Sequence, residues 1–385
     1  MKKTALLLAL LLCLSLLACG AEPAQPADSR QGALWGQPVK GKSMISQPEP
    51  AEGAQVSLIT DYTREFITDY YFGKGPHTVS YKNDVMLKKG PMHQDVTFSW
   101  SCSGESTGFT LAYATREDFS DCRTLETEQP SVKVQGLFAG TAYYWQVAAH
   151  TAQGDCYSAV FSFTTEATPR IITLDGVVNT RDLGGYVTED GAYRVRQGLI
   201  YRGSNLDDIA GAGMQAAVEI YGIRTDLDLR SPTSDTDHML YTDKSPILMG
   251  EINYINITGV SYSSILPYSQ RIRDELLVFT KEENYPIYFH CKAGRDRAGT
   301  LAFLLNALLG VPEEKLLMDY ELTYLTPMAY ASGDLRGHNW MMEFLAGIKM
   351  NPGNTLQEKV ENYCIGCGLT REDIQAIRDI MLEEI

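Results

Sequence analysis

The stretch from Pro286 to Pro312 constrains the chain most. Pro286-Ile287-Tyr288-Phe289 is a short apolar run of strand length, and it is followed by His290-Cys291-Lys292-Ala293-Gly294-Arg295-Asp296-Arg297-Ala298-Gly299-Thr300. Thr300 to Leu309 is then almost wholly apolar or helix-favouring. Gly310 suits the left-handed position after a helix, and Pro312 opens the next helix ahead of Glu313 and Glu314. The loop therefore lies between a strand and a helix. A loop at a helix N-terminus aims backbone N–H groups and the positive end of the helix dipole into one concavity, which favours a tetrahedral dianion such as phosphate.

The same field stabilises a thiolate. Cys291 is accordingly expected to have a lowered pKa and to act as nucleophile, with His290 assisting from behind the strand. Arg297 stands six positions after Cys291, where its planar fork can bind two phosphate oxygens. The intervening residues Lys292, Ala293, Gly294, Arg295 and Asp296 would line the phosphate site.

This Cys-x5-Arg loop resembles that of the cysteine-dependent tyrosine and dual-specificity phosphatases. Further segments are Asn179-Thr180-Arg181-Asp182-Leu183-Gly184-Gly185-Tyr186, Val195 to Arg202, and Asp228-Leu229-Arg230. They resemble the secreted or lipoprotein bacterial branch with the Asn-x-Arg-Asp-Leu-Gly-Gly signature. Asp319-Tyr320 and a closing helix capped by Thr370, with Ile374, Ile377 and Met381 on one face, also match that branch. The resemblance spans Ile171 to Ile385. It implies a phosphatase domain over 169–385 that works through a phosphocysteine intermediate, with no cofactor and no metal. After Pro169, strands alternating with helical patterns and tight Gly turns independently give an α/β layer fold.

The reaction needs a proton donor. Many relatives carry an aspartate on a loop upstream of the cysteine, but here no aspartate lies between Asp243 and Asp274, and Glu251 is the only carboxylate there. The branch resembled places an Asp just before the arginine. Asp296 is thus the expected general acid, with Glu251 and Asp182 as lesser candidates; a surface pairing of Asp296 with a nearby base is the structural alternative. The loop also resembles the Cys-Lys-x-Gly-Lys-x-Arg pattern of phosphatases that accept polyphosphorylated inositol. That resemblance gives Lys292 and Arg295 a role in a highly anionic substrate, unless they face solvent or pair with acids. Relatives usually carry Thr or Ser after the arginine, where this chain has Ala298, with Thr300 as the next hydroxyl. Tyr262, Tyr268 and Ser261 to Ser264 are read as lining or covering the mouth. Arg181, Asp182, Arg202 and Arg230 fit structural ion pairs under the loop, and Cys364 and Cys367 fit packing, because zinc would need four ligands.

The chain has 385 residues, enough for two or three domains. Its formal charge of -15 disfavours nucleic acid and anionic lipid as broad partners. Residues 1–18 read as an export signal: Lys2 and Lys3 precede an apolar run too short to span a bilayer. Leu16-Leu17-Ala18-Cys19 resembles a bacterial lipobox, with Cys19 as the lipidated residue; ordinary signal cleavage at the small pair Ala18 and Gly20 is the alternative. Residues 19–55, rich in Pro, Ala, Gln, Gly and Ser, read as a flexible tether, and 56–75 as a connecting segment with one short amphipathic helix. Residues 76–168 show short alternating β-branched and aromatic runs, which predict a β-sandwich of about seven strands. In Tyr143 to His150, period two places Tyr143, Trp145, Val147 and Ala149 on the buried face. The segment from Leu137 to Val147 resembles the fibronectin type III family. Cys102 and Cys156 either pair at one end of that sandwich, leaving Cys122, or all three stay reduced.

Taken together, the sequence predicts a multidomain exported lipoprotein facing outside the cytoplasm. Its activity would be hydrolysis of phosphate monoesters on phosphotyrosine protein, phosphoinositide or inositol polyphosphate. The competing readings are a pseudophosphatase that binds a phospho-ligand, with the sandwich as an adhesive surface of unknown protein or glycan partner, and a sulfur transferase.

Overall fold

The computed structural model of the protein describes residues 44–71, 90–262, 269–329 and 338–385. The export signal, Cys19, most of the tether, Ser263, Ser264 and Tyr268 lie outside the described residues. The described residues form two compact units, one from 44–48, 100–132 and 143–162, the other from the remainder.

The first unit is built of antiparallel strands. Gly108–Ala114 lies between Arg123–Thr127 and Ala142–Thr151, with Leu111 opposite Leu125 on one side and Val147 on the other. Gly154–Tyr157 returns along Ala142–Thr151. Tyr143, Trp145, Val147 and Ala149 are buried, as period two predicts. Gln146 and Ala148 are buried as well, which corrects the expectation of one polar face. The chain at Ser158 covers that second face: Gln146 Nε2 donates to the Ser158 carbonyl at 2.8 Å, and Ser158 Oγ accepts from Val147 N at 3.0 Å. Cys102, Cys122 and Cys156 are all free, so no Cys102–Cys156 bond forms.

The end of the expected tether is also corrected. Ile45–Glu49 and Ala54–Val56 are strands, and Ile45 is buried. One apolar side chain among Pro, Gly and Gln is too weak a periodic signal to reveal a strand in advance.

In the second unit, Ala54–Val56 runs parallel to Phe161–Thr165. The helix Asp61–Tyr71 follows, and its Phe66 and Ile67 join Ile59 in the same apolar core as Leu183, Leu227 and Phe289. That burial gives the short amphipathic helix its purpose. The principal sheet of this unit has five strands in the order Arg181–Asp182, Ile200–Gly203, Ile287–His290, Thr225–Asp228, Asn253–Asn256. The first is antiparallel to its neighbour and the other pairings are parallel. Ile287–His290 is central and fully buried, with His290 aligned with Gly203 on one side and Asp228 on the other. The residue after it leaves the sheet at the carboxyl ends of three parallel strands, where open α/β sheets place their ligands.

The helix Arg297–Leu308 that follows is buried at every position from Ala298 to Leu308. It has no solvent face because other helices pack around it, among them Gln270–Leu277, Glu313–Glu321 and Leu356–Gly366. The closing helix Arg371–Met381 begins with a capping box between Thr370 and Asp373 and buries Ile374, Ile377 and Met381. Leu382–Glu384 then pairs antiparallel with Tyr193–Val195. Cys364 and Cys367 are buried in the apolar core beside Tyr363 and Ile374, and burial raises the Cys364 thiol well above its usual pKa. Among the described residues no helix is long and apolar enough to cross a membrane.

Candidate active site

Cys291 is buried at the start of the loop between the central strand and the buried helix. The next three carbonyls are all tied to surrounding structure. The Lys292 carbonyl accepts from Asn205 N at 3.2 Å, that of Ala293 from Asn179 Nδ2 at 3.0 Å, and that of Gly294 from Arg202 Nη2 at 2.6 Å. In a trans peptide the C=O and the following N–H point in opposite directions. With three carbonyls turned outward, the N–H groups of Ala293, Gly294 and Arg295 turn inward, which forms the anion nest expected from the sequence. Gly294 makes the turn at φ +68, and a Cβ there would lie 2.3 Å from the Gly203 carbonyl oxygen, so no larger residue fits.

The Asn-x-Arg-Asp-Leu-Gly-Gly segment is the scaffold of this nest. Arg181 Nε meets Asp319 Oδ1 at 2.7 Å, and Arg202 Nη1 meets Asp319 Oδ2 at 2.6 Å. Arg181 Nη1 also donates to Asn179 Oδ1, which orients that amide toward Ala293. Burial alone would raise the Asp319 carboxyl, but Arg181 and Arg202 hold it below its ordinary pKa. Asp182 faces the opposite way. It is buried, pairs with Arg170 at 2.6 Å and accepts from the backbone of Gly184 and Gly198. It is therefore a structural anchor and not a candidate acid, because both oxygens are consumed away from the loop.

His290 is fully buried, with Nε2 2.9 Å from Asp226 Oδ1 and Nδ1 3.3 Å from the Cys291 carbonyl. Both ring nitrogens face acceptors, the arrangement of a doubly protonated imidazolium. Burial opposes that charge, but Asp228 and Asp226 outweigh it and raise the His290 pKa. Arg230 bridges Asp207 and Asp228 at 2.6 and 2.8 Å, a scaffold role.

Arg297 makes three donor contacts: Nη1 to the Leu229 carbonyl at 3.1 Å, Nη1 to Asp237 Oδ2 at 2.8 Å and Nη2 to Asp237 Oδ1 at 2.7 Å. A guanidinium has five N–H donors, so among the described residues Nε–H and one Nη2–H remain without a partner, side by side on one edge. Asp296 and Arg297 border a hollow of about 280 Å³ together with Gly259, Val260, Ser261 and Arg271. Asp296 Oδ1 accepts from Tyr262 Oη at 2.5 Å and from Arg295 Nε at 3.0 Å.

Several expected positions differ in detail. Arg295 is turned onto Asp296 and mostly buried, and Lys292 Nζ donates to the Thr236 carbonyl at 2.7 Å. Both cations thus have partners within the protein. Thr300 Oγ1 donates to the Asp296 carbonyl at 3.0 Å and closes the first helical turn, and Ala298 is buried. Glu251 borders a separate depression with Lys244, Ile247 and Asn253, which corrects its candidacy as the acid. Tyr262 is buried beneath Asp296 and is not a lining of the mouth.

Residues 172–383 match the family described as the tyrosine phosphatase family. The chain belongs to that family. A protein of Cupriavidus necator named among the tyrosine-protein phosphatases is 28% identical over 170 residues, covering 39% of this chain and 61% of its own length. A tyrosine-protein phosphatase of Nostoc commune is 28% identical over 156 residues, covering 40% of this chain and 49% of the relative. The chain thus spans about half to six tenths of the length of the curated relatives it matches. The core catalytic domain of the PP-IP phosphatase SIW14 from S. cerevisiae, in complex with citrate, aligns over 50% of this chain and 94% of its own. Its identity is 15% and its TM-score 0.29, too low to carry an argument.

For a member of the tyrosine phosphatase family, the functional residue hardest to find from sequence is Asp237. It lies in Ser231 to Asp243, a stretch of Ser, Thr and Asp that reads as solvated loop. Its one local signal is an acid shortly after Asp228-Leu229-Arg230.

Proposed function

We propose that the protein is an exported, lipid-anchored phosphatase that hydrolyses phosphate monoesters through a phosphocysteine intermediate. The observation that carries this reading is the outward anchoring of the Lys292, Ala293 and Gly294 carbonyls, which leaves a ring of N–H donors beside Cys291. In the first half-reaction the Cys291 thiolate attacks phosphorus, the S–P bond forms and the P–O ester bond breaks. Asp296 gives its proton to the departing oxygen. The Nε edge of Arg297 meets the charge on the equatorial oxygens. In the second half-reaction water attacks the phosphocysteine, its proton passes to the Asp296 carboxylate, and inorganic phosphate leaves with the thiolate restored.

Turnover is limited by that second step. Ala298 supplies no hydroxyl to the leaving thiolate, and Thr300 spends its hydroxyl on the Asp296 carbonyl. After rapid denaturation at alkaline pH, where the S–P bond persists, mass spectrometry should therefore find phosphate on the peptide that carries Cys291. Cys291→Ser should lose both the adduct and turnover while still binding phosphate esters. Turnover retained by that variant would overturn the mechanism.

Anchoring rests on Leu16-Leu17-Ala18-Cys19, and acylated Cys19 at the mature N-terminus is the expected product. An unmodified start at Ala21 would exclude it. For the strand-rich segment we propose a fibronectin type III-like sandwich that serves as spacer or adhesive surface, on the resemblance around Leu137 to Val147. Initial rates with phosphotyrosine peptide, phosphoinositides and inositol polyphosphates would assign the substrate.

A further inference from the structure

We infer that Tyr262 is a positioning residue for the proton donor Asp296, fixed in turn by Tyr320. The inference rests on the reading of Asp296 as general acid and adds the residues that aim it.

Asp296 occupies the N-cap of Arg297–Leu308, yet its side chain makes no capping bond to that helix. An aspartate there ordinarily turns inward to an N–H of the first turn. This one turns outward, keeps 34% of its side chain exposed and borders the hollow with Arg297. Something must hold it there. Tyr262 Oη lies 2.5 Å from Asp296 Oδ1 and 2.7 Å from Tyr320 Oη. A hydroxyl has one proton to donate. With the Tyr262 proton directed to the carboxylate, Tyr320 must donate to Tyr262, so the chain runs from Tyr320 through Tyr262 to Asp296.

The two carboxyl oxygens are thereby made unequal. Oδ1 accepts from Tyr262 and from Arg295 Nε at 3.0 Å, whereas among the described residues Oδ2 meets Arg295 Nη2 alone, at 3.4 Å. A proton on Oδ1 would displace a donor, so the transferable proton sits on Oδ2. Once it has passed to the leaving oxygen, the Tyr262 contact becomes charge-assisted and the Arg295 contact becomes a full ion pair, so both strengthen. Contacts that strengthen as the reaction proceeds lower the barrier.

Tyr262 is well placed to keep this geometry. It is buried, its ring meets that of Tyr320 edge-on at 5.6 Å and 85°, and nearby Val260 N is held by Glu275 Oε1 at 3.1 Å. Burial first, then the neighbouring Tyr320 and Asp296, raise its pKa, so the hydroxyl stays protonated.

The test is kinetic, in the full chain, with Tyr262→Phe, Tyr320→Phe, Asp296→Asn and the double variant Tyr262→Phe/Asp296→Asn. Substrates are p-nitrophenyl phosphate, whose phenol leaves unaided, and an alkyl phosphate, whose alkoxide requires a proton. Tyr262→Phe should lower kcat/KM, which reports the first half-reaction, roughly 10-fold more for the alkyl ester than for the aryl ester. Tyr320→Phe should give a smaller loss with the same leaving-group bias. In the Asp296→Asn background the Tyr262→Phe change should add no further bias, because the two act as one unit. Equal losses for both esters, or full additivity in the double variant, would overturn the inference. Asp296→Asn without leaving-group bias would overturn the acid assignment together with it. An inactive wild-type protein would instead refute the phosphatase reading itself.

Discussion

Asp237 and Arg297 meet through two parallel contacts of 2.8 and 2.7 Å, and a third donor goes to the Leu229 carbonyl. The pair is asymmetric in burial, with 5% of the Asp237 side chain exposed against 20% for Arg297. Asp237 also accepts from Ser231 N at 2.7 Å, so the carboxylate is fixed before it fixes the arginine. Burial works against the Arg297 charge, but Asp237 and the nearby Cys291 raise its pKa and keep it cationic.

Asp237→Asn should therefore lower kcat/KM roughly 10- to 100-fold, since a charged hydrogen bond to a buried partner is worth about 1.5–3 kcal/mol. Inhibition by inorganic phosphate should weaken in parallel. Unchanged phosphate inhibition would show that the arginine edge is aimed by something else.

Gly294→Ala should remove phosphate binding more completely than it removes stability. The new methyl would meet the Gly203 carbonyl oxygen at 2.3 Å at a positive φ, and relief of that clash shifts the loop. Calorimetric titration with phosphate and a thermal melt together check the order of the two losses.

Asp319→Asn removes the one carboxylate shared by two buried arginines, Arg181 and Arg202. Breaking a buried ion pair from one side costs about 3–5 kcal/mol. Urea unfolding should show a loss of that order, and a loss under about 1 kcal/mol would mean that the arginines are satisfied otherwise.

Glu275 provides the pH test. Burial pushes its carboxyl up to about 8, and Oε2 has no hydrogen-bond partner among the described residues. Its unfolded value is near the ordinary 4.5, so between roughly pH 4.5 and pH 8 the folded state holds the extra proton. Stability contributed by this group is therefore fully present below the lower value and falls by about 1.4 kcal/mol per unit as pH rises through the window. Glu275→Gln, which imitates the protonated acid, should flatten that slope and be more stable than wild type at pH 8. Urea midpoints at pH 5.5 and 8 that differ equally in both proteins would contradict it.

The reactive loop was legible because its signals are local: an apolar strand, a glycine turn and an apolar helix lie within about two dozen residues. The scaffold of Asn179, Arg181 and Arg202 was legible only through family resemblance, because those residues meet Ala293, Gly294 and Asp319 across more than ninety positions of chain. Asp237 stayed hidden, and Tyr262 was placed at the mouth instead of beneath Asp296, for a different reason. A loop acid and a loop tyrosine look alike whether solvated or aimed at a neighbour, and only the return of the chain distinguishes them. Arg295 takes the acid-pairing alternative, and its partner was hard to foresee because Asp296 is the adjacent residue already given another task. In the strand-rich segment the alternation located the buried face of Tyr143 to Ala149, but it cannot report that Ser158 covers the other.

The anchoring of Asp182 bears on where this chain can be cut. Its partner Arg170 also donates to the carbonyls of Gly136 and Leu137, at 2.6 and 2.9 Å, and lies 4.6 Å from the Phe138 ring centroid. Gln197 bonds both the N–H and the carbonyl of Ala139. A recombinant fragment started at the linear boundary near Pro169 would keep the whole reactive loop yet strip the buried guanidinium of two acceptors and its aromatic seat. The catalytic unit borrows residues from the middle of the preceding segment, so its border is a surface in space with no single position in the sequence.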